Sequence, residues 1–258
     1  MVGLGICRAA DSRASVHVTR TPYATEESAT SHHWHLRKID WLAALPKAQA
    51  DAVRRASTTR VCNRGEFVFD PVEHPAHVYL LEEGLVRIVR LSPSGEELTL
   101  GYVRPGELFG AVSVIAGSAR ESFAEARTRV RVLRIPKGIF FKTVRANNSV
   151  LYEMTKLIGG RLVRCQSRIA DLVFRDVRSR LANMLLSLAR EYGHQTDRGL
   201  AIGLPLTQAE MATLIGTTRQ SVNAVVHEMT AAGLVVRRGR ELLITDLHAL
   251  RALTRSPE

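Results

Sequence analysis

The feature that most restricts the fold of this chain is a pair of short capped helices predicted within residues 207–232. Thr207 and Glu210 have the spacing of a capping box, in which each side chain bonds the backbone amide of the other residue at the start of a helix. Gly216 follows the apolar face of this first helix, and glycine permits the positive φ that ends a helix in a sharp turn. Two capped helices joined by such a turn form a helix-turn-helix.

The second helix of the pair has two contrasting faces. Thr217 or Thr218 is expected to cap it, and a valine-rich stripe is expected to be buried. The opposite face carries arginine, glutamine, asparagine and histidine, whose donors and acceptors match base edges and phosphates, so the pattern predicts double-stranded DNA as the partner. The expected DNA-contacting residues are Thr207, Thr217, Thr218, Arg219, Gln220, Ser221, Asn223, His227, Arg237, Arg238 and Arg240.

The last three of these residues lie in a predicted hairpin with a basic tip. Two apolar runs, 234–236 and 242–244, flank Arg237, Arg238 and Arg240. Such a hairpin can lie as a wing along the phosphate backbone. The alternative is a solvated turn that contacts nothing.

Upstream, residues 61–135 consist of short alternating or apolar runs separated by turns. Runs such as 78–81 and 85–89 are divided by glycine-containing turns such as 93–95 and 104–106. Strands at this spacing indicate a compact antiparallel barrel or roll. A short helix is expected before it, at residues 39–56.

A long helix predicted at residues 147–174 carries apolar positions at the intervals of a coiled-coil seam, interrupted by Gly159-Gly160. The alternative is a helix that packs only on its own barrel. A second apolar stripe could serve that purpose, so two stripes favour one face on the barrel and one in a homodimer. The barrel-facing stripe is Val150, Met154, Leu157 and Val163. The expected dimer-interface residues are Leu151, Ile158, Leu162, Cys165, Ile169 and Leu172.

Composition restricts the class of protein further. Thirty-six lysines and arginines exceed 25 aspartates and glutamates, a net charge of +11, which favours a polyanionic partner such as nucleic acid. No apolar run approaches the roughly 18 residues of a membrane helix, and the N-terminus lacks the pattern of a secretory signal. We therefore expect a cytoplasmic protein with no membrane partner, whose residues 1–36 form a mobile arm.

Other chemistry finds little support in the sequence. Three scattered cysteines predict neither a disulfide framework nor an iron–sulfur cluster, which needs about four. Exposed histidines such as His32, His33, His35, His74 and His77 are usually not ligands, so no metal is expected. Haem bound through His74 or His77 is a weaker alternative. Cys165 could sense oxidation, but a small packed residue is the simpler interpretation. No catalytic motif occurs, so the chain is not expected to be an enzyme.

Taken together, residues 61–250 resemble the cyclic-AMP receptor protein/FNR (Crp/Fnr) family of bacterial regulators. The resemblance rests on the glycine-punctuated strands, on Arg104-Pro105-Gly106-Glu107-Leu108-Phe109-Gly110, on Phe174-Arg175-Asp176-Val177 and on Thr218-Arg219-Gln220-Ser221-Val222. It implies that Arg219 and Gln220 read bases and that a hinge lies near Asp176. Ala224 stands where members that read the cyclic-AMP receptor site carry an arginine, so a different operator is expected.

The ligand pocket implied by the resemblance departs from the family pattern. Members that bind cyclic nucleotides have a glutamate after the glycine matching Gly110, and an Arg-Ser pair that clasps the phosphate. Here those places hold Ala111 and Glu121-Ser122, and a carboxylate would repel the phosphate. Cyclic AMP is therefore not the expected effector, although another small molecule remains an alternative. The expected vestigial pocket comprises Gly110, Ala111, Arg120, Glu121, Ser122, Cys165 and Gln166.

These observations lead to a single set of expectations. The fold is α+β: an arm at 1–36, a cyclic-nucleotide-binding-like β-roll at 37–146, a dimerisation helix at 147–175 and a winged helix-turn-helix at 176–258. Three shorter helices and one hairpin are expected within residues 177–258. The expected function is a homodimeric transcription regulator on a pseudo-palindromic operator, with RNA polymerase as a further candidate partner. The alternatives are a regulator gated by another small ligand and a haem- or redox-sensing signalling protein.

Overall fold

The structure, a computed structural model, describes residues 41–239 and 241–254. The arm at 1–36, Cys7, the histidines at 32, 33 and 35, and Arg240 lie outside the described residues. The first elements are α1 (Lys47–Arg55), β1 (Thr58–Cys62), β2 (Phe67–Phe69), β3 (His77–Glu83), β4 (Val86–Leu91), β5 (Glu97–Val103), β6 (Leu108–Phe109), α2 (Ala111–Ala116), β7 (Phe123–Ala126), β8 (Val130–Pro136) and α3 (Lys137–Arg145). They are followed by α4 (Asn148–Phe174), α5 (Val177–Tyr192), β9 (Gly193–Thr196), β10 (Gly199–Ile202), α6 (Gln208–Ile215), α7 (Arg219–Ala231), β11 (Val235–Arg238), β12 (Glu241–Ile244) and α8 (Leu247–Ala252).

Helix α1 begins later than the sequence predicts. It was expected over 39–56 but starts at Lys47, directly after Pro46, whose ψ of 140° is extended. Proline disfavours a helical conformation in the residue before it, so the preceding described residues form turns instead. Residues 39 and 40 are not described.

The predicted antiparallel roll is confirmed. Its strands form two four-stranded sheets, with the orders β1-β8-β3-β6 and β2-β7-β4-β5. One buried apolar cluster takes residues from all eight strands, among them Cys62, Tyr79 and Phe109, so the two sheets pack face to face. Full burial of a side chain of this kind contributes about 1.5–3 kcal/mol, and this cluster therefore fixes the backbone that frames the roll.

A second apolar cluster joins the outer face of the first sheet to the helices. On β8, Val132 belongs to the cluster inside the roll, whereas Leu133 and Ile135 belong to the cluster outside it, because successive strand residues point to opposite faces. The outer cluster also contains Phe140 of α3 and Trp41, whose rings lie 5.8 Å apart. The helices are thereby attached to one side of the roll.

Helix α4 is continuous through Gly159-Gly160. Val150 and Met154 of the predicted barrel-facing stripe are buried in the outer cluster. Val163 of the same predicted stripe is 47% exposed, so that assignment is wrong. Thirteen residues after Val150, at about 100° per residue, Val163 lies about 140° away around the helix. The side chain of Leu157 is not described.

The C-terminal part contains more secondary structure than the sequence predicts. Three helices and one hairpin were expected, but the described residues contain α5, α6, α7 and α8, together with a four-stranded sheet of order β11-β12-β10-β9. The unforeseen pair β9–β10 includes the polar residues His194 and Gln195, which lack the apolar alternation that indicates a strand. Residues from α5, α6 and α7, such as Leu185, Met211 and Met229, share one buried core.

Two extended residues, Arg175 and Asp176, separate α4 from α5. The Asp176 carboxylate accepts a hydrogen bond from the Ser179 amide at 2.7 Å and so caps α5. This hydrogen bond holds the pKa of Asp176 below its ordinary value. Among the described residues, no helix is long and apolar enough to cross a membrane.

Candidate DNA-reading surface and the cavity of the roll

The first helix of the helix-turn-helix, α6, begins as the sequence predicts. The Thr207 hydroxyl oxygen accepts from the Glu210 amide at 3.1 Å, and the Glu210 carboxylate accepts from the Thr207 amide at 2.8 Å. Gly216 ends the helix with a φ of +65°. The capping box and the glycine turn therefore set both ends of α6.

The second helix, α7, is capped by Thr218, whose hydroxyl oxygen accepts from the Ser221 amide at 3.1 Å. Thr217 is the residue before the cap and donates its amide to Ala212. Val222, Val226 and Met229 are buried on the inner face. The outer face exposes Arg219, Gln220, Asn223, Ala224 and His227, so the predicted polar residues are brought together on one accessible surface.

One neighbour of this surface was not predicted from the sequence. Gln208, the first residue of α6, donates its side-chain amide to the Asn223 side-chain oxygen at 2.7 Å. The two residues are 15 positions apart, and only the angle between the two helices brings them together. A polar residue directly after a capping threonine is the one signal that could have drawn attention to it.

The basic hairpin is the β11–β12 pair. The Arg237 guanidinium donates to the carbonyl oxygen of Gly239 at 3.2 Å and to that of Leu206 at 3.5 Å, while Arg238 is exposed. Arg237 thus ties the hairpin to the segment before α6. Both arginines remain on the surface, where they can contact phosphate.

Inside the roll lies a cavity of about 640 Å³. Its walls are mostly apolar and include Phe69, Leu100 and Phe109 from the roll, and Ile158 and Leu162 from α4. This volume lies within the range of about 300–1,000 Å³ that small-molecule sites occupy. The long helix therefore forms one wall of the cavity.

The predicted pocket residues separate into two groups. Gly110, Arg120, Glu121, Ser122 and Cys165 line the cavity. Ala111 and Gln166 are not among its lining residues, which corrects the prediction. Ala111 is 5% exposed because it packs in the outer cluster, and Gln166 is exposed on α4, one position and so about 100° around the helix from Cys165.

The charged side chains at this end of the cavity are paired within the roll. Arg120 is 3% exposed and donates to the carbonyl oxygens of His77 at 2.8 Å and Gly110 at 3.2 Å. Its guanidinium lies 4.0 Å from the centre of the Phe69 ring, and burial lowers its pKa. The Glu121 carboxylate is exposed at the rim, 3.0 Å from Arg90.

Three polar contacts join the helix-turn-helix to the roll and α4. Arg168, which also lines the cavity, donates to the Leu214 carbonyl oxygen at 2.7 Å, at the end of α6. The hydroxyls of Thr99 and Thr213 are 2.9 Å apart, and Arg127 forms an ion pair with Glu210. Burial lowers the pKa of Arg168 to about 10, so it remains a cation at neutral pH.

The predicted seam of α4 is an exposed apolar stripe in this single chain. Its aliphatic members are between 44% and 62% exposed, and Cys165 is also exposed. Ile158, Leu162 and Cys165 belong both to the stripe and to the cavity wall. An exposed apolar row of this length on one helix is typical of a surface that meets another protein chain.

No group of three or more histidine, cysteine, aspartate or glutamate side chains that could hold a metal ion occurs among the described residues. His74 and His77 are among the described residues and belong to no such group. Burial lowers the pKa of His77.

Comparisons with known proteins cover most of the chain. The family model for a cyclic nucleotide-binding domain matches residues 59–147, and the model for a Crp-like helix-turn-helix domain matches residues 179–253. The chain is 31% identical over 187 residues to a CRP-like cAMP-activated global transcriptional regulator of Mycobacterium tuberculosis, covering 72% of this chain and 84% of that protein. It is 29% identical over 189 residues to the global nitrogen regulator of Synechococcus elongatus, covering 72% and 85%.

Solved structures agree with these relatives. A CRP/FNR-family transcriptional regulator from Thermus thermophilus is 28% identical, with a TM-score of 0.64 over 76% of this chain and 98% of that chain. A CooA mutant from Carboxydothermus hydrogenoformans is 26% identical, with a TM-score of 0.69 over 79% and 90%. The two family models cover the strands of the roll and the helix-turn-helix.

Proposed function

This chain belongs to the Crp/Fnr family of transcription regulators, and we propose that it acts as a homodimer that reads a pseudo-palindromic operator without cyclic AMP as its effector. The observation that carries the proposal is the accessible polar face of α7, which lies opposite a buried apolar stripe. A helix held in this way can enter a major groove as a rigid unit. Because its partner is DNA, we place the protein in the cytoplasm.

We assign selectivity and affinity to different side chains. Arg219, Gln220 and Asn223 present donors and acceptors to base edges, where sequence is read. Arg237 and Arg238, together with the net charge of +11, favour contact with phosphates, which positions the protein and makes its affinity depend on salt.

The exposed stripe of α4 supports the homodimer. Two copies that pair along this helix would bury the apolar side chains now exposed to water and would present two α7 helices related by a two-fold axis. Half-sites about one turn of DNA apart, roughly 34 Å, then suit the two reading helices. A palindrome follows from this symmetry.

Two features of the roll support a function that does not use cyclic AMP. The Arg120 guanidinium is held by two backbone carbonyls and an aromatic ring, so binding a phosphate would require those contacts to break. At the rim, Glu121 pairs with Arg90, so this second guanidinium is also already occupied. The M. tuberculosis relative is described as cAMP-activated, and we propose that this chain differs from it in that respect.

A second candidate function is a regulator gated by another small molecule. The observation that favours it is Arg168, which both lines the cavity and donates to the end of α6. A ligand in contact with this guanidinium would therefore be one residue away from the helix-turn-helix.

The DNA-reading proposal is tested with Arg219→Ala. The operator is first selected from a random DNA pool with the wild-type protein, and binding of single-base operator variants is then measured by gel shift. Loss of the two hydrogen bonds from the Arg219 guanidinium to a base is expected to lower the preference for that base over the other three by roughly tenfold, at one base pair per half-site. Arg55→Ala, an exposed arginine of α1, is the matched control. Unchanged selectivity of the Arg219 variant would contradict the proposal.

The effector is tested on the same operator with purified protein. We expect tight binding without ligand and the same dissociation constant after addition of cyclic AMP, because Arg120 is already held by backbone carbonyls and Arg90 is already paired with Glu121. A marked gain in affinity with cyclic AMP would refute this part of the proposal. A strict requirement for cell extract would favour the second candidate function.

A further inference from the structure

One side chain on the reading face of α7 is held by a residue from the other helix. The Gln208 side-chain nitrogen donates to the Asn223 side-chain oxygen at 2.7 Å. Gln208 is the first residue of α6, and Asn223 lies in the second turn of α7. The hydrogen bond therefore joins the start of α6 to the second turn of α7.

The backbone on both sides of this hydrogen bond is held in place. The capping box fixes the start of α6, and the Thr218 cap fixes the start of α7. Buried side chains of the two helices, including Met211 and Val222, share one core. The backbone spacing between Gln208 and Asn223 is thus set by the fold before DNA binds.

The direction of the hydrogen bond decides what Asn223 can offer to a base. With its oxygen turned toward Gln208, the Asn223 amide presents its nitrogen, which has two N–H donors. An asparagine that pairs with both adenine N6 and N7 needs its oxygen at the base as well as its nitrogen, because the oxygen accepts from N6 and the nitrogen donates to N7. In the major groove, guanine presents only acceptors on its edge, thymine presents O4, and cytosine presents only a donor.

From this geometry we infer that Gln208 is a positioning residue that makes Asn223 a hydrogen-bond donor to the operator. Asn223 then favours guanine or thymine over cytosine at the base it contacts. Gln208 acts through Asn223 and does not itself touch that base. When DNA covers the surface and removes water, the hydrogen bond between the two amides strengthens and holds the Asn223 side chain more firmly. The inference rests on the proposed function, because it requires α7 to read base edges.

The test uses the full-length protein and an operator selected from a random pool. Every base of one half-site is changed in turn, and dissociation constants are measured for wild type, Gln208→Ala, Asn223→Ala and the double variant. Gln208→Ala is expected to lower the preference at a single base by about three- to tenfold, the effect of one hydrogen bond. The positions that depend on Arg219 are expected not to change. Gln195→Ala, in exposed strand β9, is the matched control.

The double variant and a charged variant separate positioning from simple contact. Once Asn223→Ala is present, Gln208→Ala should change nothing further at that base, because the two residues act through one interaction. Gln208→Glu places an acceptor beside Asn223, which must then turn its nitrogen toward the carboxylate and its oxygen toward DNA. The preference should therefore shift toward adenine or cytosine, separately from any uniform loss caused by the added negative charge.

The possible results distinguish this inference from the proposed function. Additive losses for Gln208 and Asn223, an equal loss at every base, or no shift with Gln208→Glu would each overturn the positioning role. If the wild-type protein selects an operator and Gln208→Ala keeps the same base preference at every position, the inference is refuted and the proposed function is not. If the wild-type protein selects no sequence at all, the proposed function fails and the inference fails with it.

Discussion

At the scale of single residues, a few capping side chains determine where the helices of the C-terminal part begin. Thr207, Thr218, Asp176 and Asp246 each accept a hydrogen bond from an amide in the first turn of a helix. These amides have no partner within the helix itself. Because the bond is local, spacing in the sequence predicted the cap at Thr207 and restricted the next cap to Thr217 or Thr218.

Asp176 offers a test of this local effect. Asp176→Ala is expected to lower the free energy of unfolding by about 1 kcal/mol at pH 7, the usual effect of losing an N-cap. The pKa of Asp176 is lowered by the Ser179 amide, so the carboxylate's contribution is complete above its unfolded pKa of about 3.9 and is lost as the pH falls through the folded pKa.

Urea denaturation at neutral and acid pH measures this contribution. The difference between wild type and Asp176→Ala should shrink at acid pH. Asp176→Asn should keep the cap without this pH dependence, because asparagine caps helices about as well as aspartate but does not titrate. An equal loss for Asp176→Ala at both pH values would contradict the explanation.

At the scale of elements, helix α4 has different neighbours on different sides. Val150 and Met154 pack on the roll, whereas the seam residues are exposed. The spacing of the seam could be predicted because a helix repeats its direction every 3.6 residues. The same geometry explains why Val163 does not belong to the roll-facing stripe, since it lies about 140° around the helix from Val150.

The seam predicts that a lysine has a different effect on dimerisation at different positions of α4. Ile169→Lys should weaken the proposed homodimer by about 30-fold or more, because pairing along the seam would bury an unpaired charge. Val163→Lys is the matched control, since Val163 is similarly exposed but lies on another side of the same helix and should leave the dimer intact. Analytical ultracentrifugation over a range of concentrations measures both. Equal effects of the two substitutions would argue against pairing through the seam.

At the scale of the whole molecule, the helix-turn-helix is attached to the roll through buried polar groups. Glu210 is 5% exposed, completes the capping box of α6 and pairs with Arg127 of the roll. Arg127 also contacts Glu125 at 3.3 Å. A carboxylate with so little access to water depends on its partners, so this pair links the stability of one part of the molecule to the other.

Removal of Arg127 tests the link. Arg127→Gln is expected to lower the free energy of unfolding by about 3 kcal/mol, because it leaves the buried Glu210 charge without its cation. Adding Glu210→Gln should recover part of this loss, since glutamine can also complete a capping box. Arg131→Gln, at a pair whose arginine is 45% exposed, should cost less than about 1 kcal/mol. Urea denaturation measures all of them, and a loss for Arg127→Gln no larger than that of the control would refute the link.

The sequence by itself determined the features that depend on neighbouring residues. The capping box at Thr207, the glycine turn at Gly216, the glycine-punctuated strands and the repeat of the α4 seam all follow from local hydrogen bonding, backbone freedom or helical geometry. These local features were sufficient to predict the fold class and the polar face of α7.

Only the tertiary structure decided which distant residues meet. Ala111 packs in the outer cluster, and Arg120 donates to backbone carbonyls. Gln208 contacts Asn223, and Arg168 contacts both the cavity and α6. Each of these contacts depends on the angle between two elements. That angle results from the packing of many side chains at once, and no spacing along the chain encodes it.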